Sequence, residues 1–243
     1  MALGIIQARM GSTRLPGKMM LPLDGSHVIE RIIERTAAAD HIDDVVVATS
    51  DTTADDIIAR YAKRASADVH RGSETDVLGR LYEAAATTDA ERIVRMCGDR
   101  PLIPKAVIDG VVTALQRRGG DYASNLLERT FPWGWGCEAF TFKSFETVEQ
   151  EAQDPHDREH VTPYYRNNPE TFDLHNVTSE DVFDDGMLHS RTDLRLTLDE
   201  ADDYELIKKV YEELPHNGIH KPRDVIKYID KTGLQTLNAH LLD

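Results

Sequence analysis

Five short runs rich in aliphatic and β-branched residues, at 3–8, 44–49, 68–71, 92–97 and 121–124, divide the first half of the chain at regular intervals. Between them apolar residues recur at helical spacing. Val28, Ile29, Ile32 and Ile33 form one set, followed by Ile57, Ile58 and Tyr61; by Val77, Leu78, Leu81 and Tyr82; and by Val107, Ile108, Val111, Val112 and Leu115. A strand–helix–strand rhythm of this kind predicts a mostly parallel sheet with helices on both faces, because a parallel crossover needs a helix-length connection. The expected fold class is therefore α/β, as a three-layer α/β/α, Rossmann-like arrangement. Ligands of such sheets bind beyond the carboxyl ends of the strands, so the chemistry is expected in the loops that follow them.

After Asn125 the rhythm changes. Pro132, Gly134 and Gly136 stand among aromatic residues, and 138–142, 172–177 and 194–198 read as further strands. Helical patterns return at 201–214, through Tyr204, Ile207, Val210, Tyr211 and Leu214, and at 223–231. No repeat, low-complexity segment or long linker interrupts the chain. Its 243 residues predict one domain, with a regular half at about 1–125 and a less regular, partly antiparallel half at about 126–243.

An apolar fraction of 40% and a charged fraction of 29% are those of a soluble globular protein, and no run approaches the roughly 18 apolar residues of a membrane span. The first apolar run, Leu3 to Ile6, leads straight into a basic loop and matches no signal peptide, which predicts a cytoplasmic protein. Cys97 and Cys137 form no CxxC pair, consistent with a reducing compartment and without support for structural zinc. A net charge of −15 repels nucleic-acid backbones and anionic membranes, so neither is expected as a partner. The acid excess, 26 Asp and 17 Glu against 19 Arg and 9 Lys, reads equally well as adaptation to a salty cytosol or as the ordinary acidity of an enzyme.

The loop after the first strand, Gln7-Ala-Arg-Met-Gly-Ser-Thr-Arg-Leu-Pro-Gly-Lys18, concentrates Arg9, Arg14 and Lys18 within ten residues. It is not a Walker A loop: five residues separate Gly11 from Gly17, and Met19 follows Lys18 in place of Ser or Thr. Pro16 disfavours helix immediately before it, so residues 9–15 are expected to form a true loop. There Gly11 and Ser12 can turn backbone N–H groups toward an anion. The plainer alternative is a solvated basic turn.

Two carboxylates stand at predicted strand ends. Asp99 follows Val94-Arg-Met-Cys-Gly, and Asp199 follows Arg195-Leu-Thr-Leu. Each could hold a divalent cation by oxygen ligation or simply cap the next helix, Asp199 with Asp202 three residues on. Asp202 and Asp203 suit a helix's first turn. In Val69-His-Arg-Gly-Ser-Glu-Thr-Asp-Val-Leu-Gly-Arg80, Gly72 and Ser73 would let backbone approach a flat base, while Ser73 or Thr75 could be a helix cap.

These segments resemble the sugar cytidylyltransferases, the enzymes that activate acylneuraminate and 3-deoxy-manno-octulosonate as CMP derivatives, and most closely the spore-coat polysaccharide biosynthesis protein F branch. The resemblance rests on residues 6–18, on Gly98-Asp99-Arg100-Pro101-Leu102-Ile103, on the Arg71-Gly72-Ser73 segment and on the acidic segment 195–205. It implies the nucleotide-diphospho-sugar transferase fold, with Arg14 and Lys18 on the phosphates that leave as pyrophosphate. Asp99 and Asp199 would hold Mg²⁺, with Asp99 counted also among the catalytic residues. The nucleotide-binding set would comprise Ala8, Arg9, Gly11, Ser12, Arg71, Gly72, Ser73 and Arg95, and CTP as the triphosphate follows from the resemblance alone.

Pro132-Trp133-Gly134-Trp135-Gly136-Cys137-Glu138 and Arg158-Glu159-His160-Val161-Thr162-Pro163 resemble the family's Pro-x-Gly-x-x-x-Glu strand and its Glu-His-x-Thr-Pro segment. By that likeness Glu138 and His160 bind the acceptor, a sugar or sugar acid; the aromatic residues of the second half suit a homodimer contact. Trp133 or Trp135 could stack on a sugar ring; core packing or a subunit contact is the plainer role for large aromatics. The expected reaction is Mg²⁺-dependent transfer of a cytidylyl group with release of pyrophosphate, serving polysaccharide or glycan biosynthesis. A transferase using GTP or another triphosphate with a phosphorylated acceptor would keep the same loop and aspartates. A non-catalytic nucleotide-binding homologue would be expected to have lost at least one of Arg9, Arg14, Lys18, Asp99 and Asp199.

Overall fold

A computed structural model describes residues 1–242. Strands β1 (Ala2–Gln7), β2 (Asp44–Ser50), β3 (Asp68–Gly72), β4 (Arg92–Cys97), β5 (Tyr122–Ser124), β6 (Glu138–Thr141) and β7 (Leu174–Asn176) make a seven-stranded sheet in the order β3-β2-β1-β4-β6-β5-β7. Only β6 runs antiparallel to its neighbours; every other pairing in this sheet is parallel. The chain thus has the predicted α/β architecture, a mostly parallel sheet with helices on both faces.

The strands carry near-continuous apolar runs because both faces of the sheet are covered. Ile6, Val47, Val94 and Met96 face one way, against α1 (Val28–Ala37), α2 (Asp56–Arg64) and α4 (Lys105–Arg118). Leu3, Ile5, Val46, Ala48 and Ile93 face the other, against α3 (Val77–Ala86), α5 (Phe142–Glu151) and, past the short α6 (Pro155–His160), α7 (Pro163–Asn167). Beyond the four-residue α8 (Ser179–Val182), helices α9 (Ala201–Glu213) and α10 (Pro222–Thr232) add Leu206, Ile207, Val210, Val225, Ile226 and Ile229 to the first face. Each such fully buried aliphatic side chain contributes about 1.5–3 kcal/mol to folding. None of the described helices is long and apolar enough to cross a membrane.

Register positions the site. β1 pairs with β4 from Ala2–Arg92 to Gln7–Cys97, so the two strands end level and deliver loop 8–17 and Gly98-Asp99 to one edge. A Cβ on Gly98 would lie 2.7 Å from Met19 Sδ and 3.1 Å from the Gln7 carbonyl oxygen, so a larger residue would displace Met19 and crowd the β4 exit where it passes beneath the loop.

The second half departs from expectation in three places. Residues 194–198 are not a sheet strand: they run extended and make a single parallel bridge between Arg195 and Trp133. Leu194, Leu196 and Leu198 are fully buried and alternate along the extended backbone, but burial on one side does not require a ladder partner. The strand expected over 172–177 shortens to the three residues of β7. Helices α5 to α8 were not anticipated; α6 to α8 span six residues or fewer, too short for a 3.6-residue period to show.

Candidate active site

The basic loop stays non-helical until a single 3₁₀ turn at Lys18–Met20, entered through Gly17 at φ 72°. Its shape is held from inside. The Ser12 and Gly17 N–H groups donate to the Met10 carbonyl at 2.9 and 3.2 Å, and the Met10 N–H donates to Asp55 Oδ1 at 2.7 Å. Asp55 is buried, and its other oxygen accepts from the Ser50 hydroxyl and N–H. It tethers the loop to the end of β2, a role no sequence signal marked.

The loop borders a cleft of about 430 Å³ at the carboxyl edge of the sheet. Ala8, Arg9, Gly11, Ser12, Arg14 and Lys18 line one side, while Arg95, Gly98 and Asp99, Glu159 and His160 of α6, and Asp199 close the others. All three loop cations are paired. Arg9 lies 3.5 Å from Glu159, and Arg14 lies 3.1 Å from Asp199 and 3.7 Å from Glu200. Lys18 Nζ donates to Asp99 Oδ2 at 3.1 Å, to Asp199 Oδ1 at 2.9 Å and to the Leu198 carbonyl at 2.8 Å. Burial works against the Lys18 cation, but the two carboxylates outweigh it and raise its pKa above the usual lysine value. Burial likewise works against the Asp199 anion, yet Lys18, Arg14 and Arg195 hold its carboxyl below the usual aspartate range.

The capping alternatives fall away for both aspartates. Helix α4 begins at Lys105 behind Pro104, six residues beyond Asp99, and Glu200 occupies the N-cap of α9. Asp203, fully buried in the first turn of α9, accepts the Asp199 and Glu200 N–H groups and the Arg195 guanidinium. The Leu198 N–H donates to the Asp99 carbonyl at 2.8 Å, which joins the two acidic segments across a gap of 99 residues. Gly134 makes that joint possible: at φ 95°, its Cβ would stand 2.3 Å from the Leu196 carbonyl carbon.

Three nucleotide-binding candidates lie elsewhere. Arg71 turns away to the Ser50 and Thr52 carbonyls and to Asp56, and neither Gly72 nor Ser73 lines the cleft. The Ser73 hydroxyl accepts the Asp76 N–H at 3.0 Å, and Asp76, not Ser73 or Thr75, caps α3. Arg80, one turn into α3, lines the cleft instead; its buried guanidinium donates to the Ser73 carbonyl, and its Nε has no partner. Burial first, then the charge of Arg9, lowers the Arg80 pKa, so an anion in the cleft would relieve it.

Glu138 is 2% exposed and lines neither this cleft nor its neighbour, which corrects the expectation that it contacts the acceptor directly. Its carboxylate accepts from Arg95 Nη1 at 2.5 Å and from the Tyr122 hydroxyl at 2.7 Å. It thereby holds Arg95 under the cleft floor, where Arg95 Nε also reaches the Gln7 side chain at 2.9 Å. His160 opens on the same cleft as the basic loop, not on the neighbouring pocket. Next to it Val161 takes φ 72°, and the Thr162 N–H donates to the His160 carbonyl at 2.9 Å, a strained γ-turn for a β-branched residue. The neighbouring pocket, about 310 Å³, shares Cys97, Asp99 and Asp199 with the cleft and adds Arg100, Arg129 and Trp133. Trp135 is core, fully buried against Phe183, whereas Trp133 is 41% exposed beneath the Arg129 guanidinium.

Helix α6 hangs on Arg158, whose guanidinium forks onto Asp76 Oδ1 and Oδ2 at 2.9 and 2.5 Å. Burial opposes the Asp76 charge, but hydrogen bonds from Arg158 and the Gly79 N–H hold its carboxyl below the usual range. A carboxyl more acidic folded than unfolded contributes stability above the ordinary aspartate pKa, and that contribution is lost as pH falls through the lower folded value. The stability gap between wild type and Asp76→Asn, read from urea midpoints, is therefore expected to be full near neutral pH and to close below about pH 4.

Two carboxylates and a carbonyl, Asp99, Asp199 and Leu198, converge on one cation, here the Lys18 ammonium. Among the described residues no three metal-binding side chains cluster. One or two carboxylates are nevertheless what Mg²⁺ takes from a protein when phosphates and water complete its shell, so the donor set fits such an ion once Lys18 moves aside.

A mostly parallel sheet whose first loop aims three cations into a cleft closed by two acids suits a nucleotidyl-transferring enzyme. Residues 3–220 match the family model described as cytidylyltransferase, and the chain belongs to that family. It is similar to the solved structure of a cytidylyltransferase from Leptospira borgpetersenii, at 32% identity with a TM-score of 0.88 over 96% of each chain. The spore coat polysaccharide biosynthesis protein SpsF of Bacillus subtilis is 32% identical over 214 residues, 86% of this chain and 85% of its own. A 3-deoxy-manno-octulosonate cytidylyltransferase from Geobacter metallireducens is 39% identical over 113 residues, 46% of this chain and 43% of its own.

Proposed function

We propose that this enzyme transfers the cytidylyl group of CTP to a sugar acid and releases pyrophosphate, in the assembly of a cell-surface or extracellular polysaccharide. One observation carries the reading: Arg9, Arg14 and Lys18 face the same cleft as Asp99 and Asp199. The names of the relatives support CTP as donor and an octulosonate-like acid as acceptor.

Phosphoryl transfer asks for charge neutralisation and alignment more than covalent help. Arg9, Arg14 and Lys18 leave their carboxylate partners for the β- and γ-phosphates and stabilise the pyrophosphate as it departs. Arg80 and Arg95, both buried at the cleft, add fixed positive charge. An acceptor hydroxyl in the neighbouring pocket attacks the α-phosphorus in line; the new O–P bond forms as the bond to the bridging oxygen breaks, its electron pair leaving with the pyrophosphate and the hydroxyl proton passing to solvent. Mg²⁺ held by Asp99 and Asp199 would supply charge neutralisation at the α-phosphate. His160 stands where it can meet the nucleotide or the near end of the acceptor.

Pyrophosphate release across the four nucleoside triphosphates, each against a panel of keto-sugar acids and sugar phosphates with Mg²⁺, tests the proposal. Release with CTP and a sugar acid alone is the expected result. Release with GTP and a sugar phosphate would replace donor and acceptor together, and release with no pair would overturn catalysis.

A further inference from the structure

We infer that Lys18 is the resident cation of the divalent-metal notch, and that the notch opens to a metal only when a triphosphate draws Lys18 away; this rests on the metal assignment proposed above. The Lys18 ammonium sits at the convergence of Asp99 Oδ2, Asp199 Oδ1 and the Leu198 carbonyl, at 3.1, 2.9 and 2.8 Å, with its side chain 12% exposed. Three oxygen donors on one point are what a small hard cation needs. They already satisfy a full positive charge.

The backbone of the notch and its Asp199 carboxylate are held independently of Lys18. Asp199 is fixed by its N–H bond to buried Asp203 and by Arg195 Nη2 at 3.2 Å, while the Leu198 N–H ties the acidic segment to the Asp99 carbonyl. Emptying it of Lys18 therefore leaves Asp199 in place, paired still with Arg14 and Arg195, and Asp99 tied beside it through its carbonyl. A divalent cation and an ammonium cannot occupy the same point, and side by side they would repel strongly in so buried a place. Lys18, by contrast, has somewhere to go: a long flexible stem, with Arg9 and Arg14 of the same loop around the cleft where a polyphosphate would lie.

Binding order follows. The apparent metal affinity of the nucleotide-free protein is its intrinsic affinity scaled by the fraction of molecules in which Lys18 is out of the notch. A triphosphate raises that fraction by giving Lys18 a competing anion, so metal enters with or after nucleotide, and free enzyme is shielded from divalent ions that would block its acids.

Mn²⁺ binding to nucleotide-free protein, followed by the loss of the free-ion electron paramagnetic resonance signal, tests this without any turnover. Lys18→Met is expected to bind Mn²⁺ at least about tenfold more tightly than wild type. Adding Asp99→Asn to Lys18→Met should abolish the gain. Lys18→Gln, whose amide still donates to a carboxylate, serves if the methionine variant does not fold. Asp99-dependent Mn²⁺ binding by nucleotide-free wild type as tight as that of either variant overturns the shielding role of Lys18 while leaving the metal assignment intact. Mn²⁺ binding that ignores Asp99→Asn in every protein, with or without CTP, overturns the metal assignment itself.

Discussion

Asp99→Asn is expected to lower pyrophosphate release by about a thousandfold or more while leaving the folded protein at its wild-type melting temperature within a few degrees. The size follows from losing a ligand of the metal, whose positive charge would act where the reacting phosphate develops negative charge: a single preorganised group there is worth about a hundred- to a thousandfold, and a metal ligand more. The stability half of the expectation comes from which atoms do the structural work. The joint between the two acidic segments uses the Asp99 carbonyl, which accepts the Leu198 N–H at 2.8 Å and the Thr197 hydroxyl at 3.3 Å. Its carboxylate is partly exposed and holds Lys18, which keeps Asp199 as a partner in the variant. Wild-type turnover by folded Asp99→Asn would remove the metal proposal.

Glu138→Ala is expected to cost about 3–5 kcal/mol of stability, because it leaves the buried Arg95 guanidinium without its counter-ion. The Tyr122 hydroxyl would lose its acceptor as well. Urea midpoints measure the cost. A double-mutant cycle with Arg95→Met separates pair from packing: if the pair carries the loss, the second substitution adds far less than its own single-site cost. A Glu138→Ala protein of unchanged stability with only a raised KM would restore the direct acceptor contact that the sequence suggested.

The contrast between these two residues shows what could be read along the chain. Asp99 and Glu138 both stand at strand ends close behind a glycine, and both belong to segments similar to family motifs. Position at a strand end marked Asp99 and the family resemblance marked Glu138; which one faces the cleft and which is locked beneath it depends on strand direction. β6 is antiparallel to β4, so Glu138 begins its strand opposite Arg95, at the same edge where β4 ends, and its side chain points into the layer of buried polar groups. Strand polarity within a sheet leaves no local signature in composition.

Arg71 and Arg80 make a similar pair. Arg71, within the motif, is drawn away by carbonyls at the end of β2, whereas Arg80 reaches the cleft because α3 turns its side chain back over the loop that precedes the helix. Asp55 was invisible for another reason: its partner, the Met10 N–H, is 45 residues distant.

By itself the sequence determined the α/β rhythm, the loop nature of residues 9–15 and the concentration of three cations after the first strand. Each is a local property, set by side-chain period, by the constraint proline places on its predecessor, or by residue type. Only the tertiary structure decided that Lys18 lies between Asp99 and Asp199, residues 81 and 181 positions away. The level ends of β1 and β4 and the close pass of Gly134 against Leu196 bring those three charges to one point. Opposite charges attract over a few ångströms of space whatever their separation in sequence, so the meeting is a property of the packed sheet and not of any single stretch of chain.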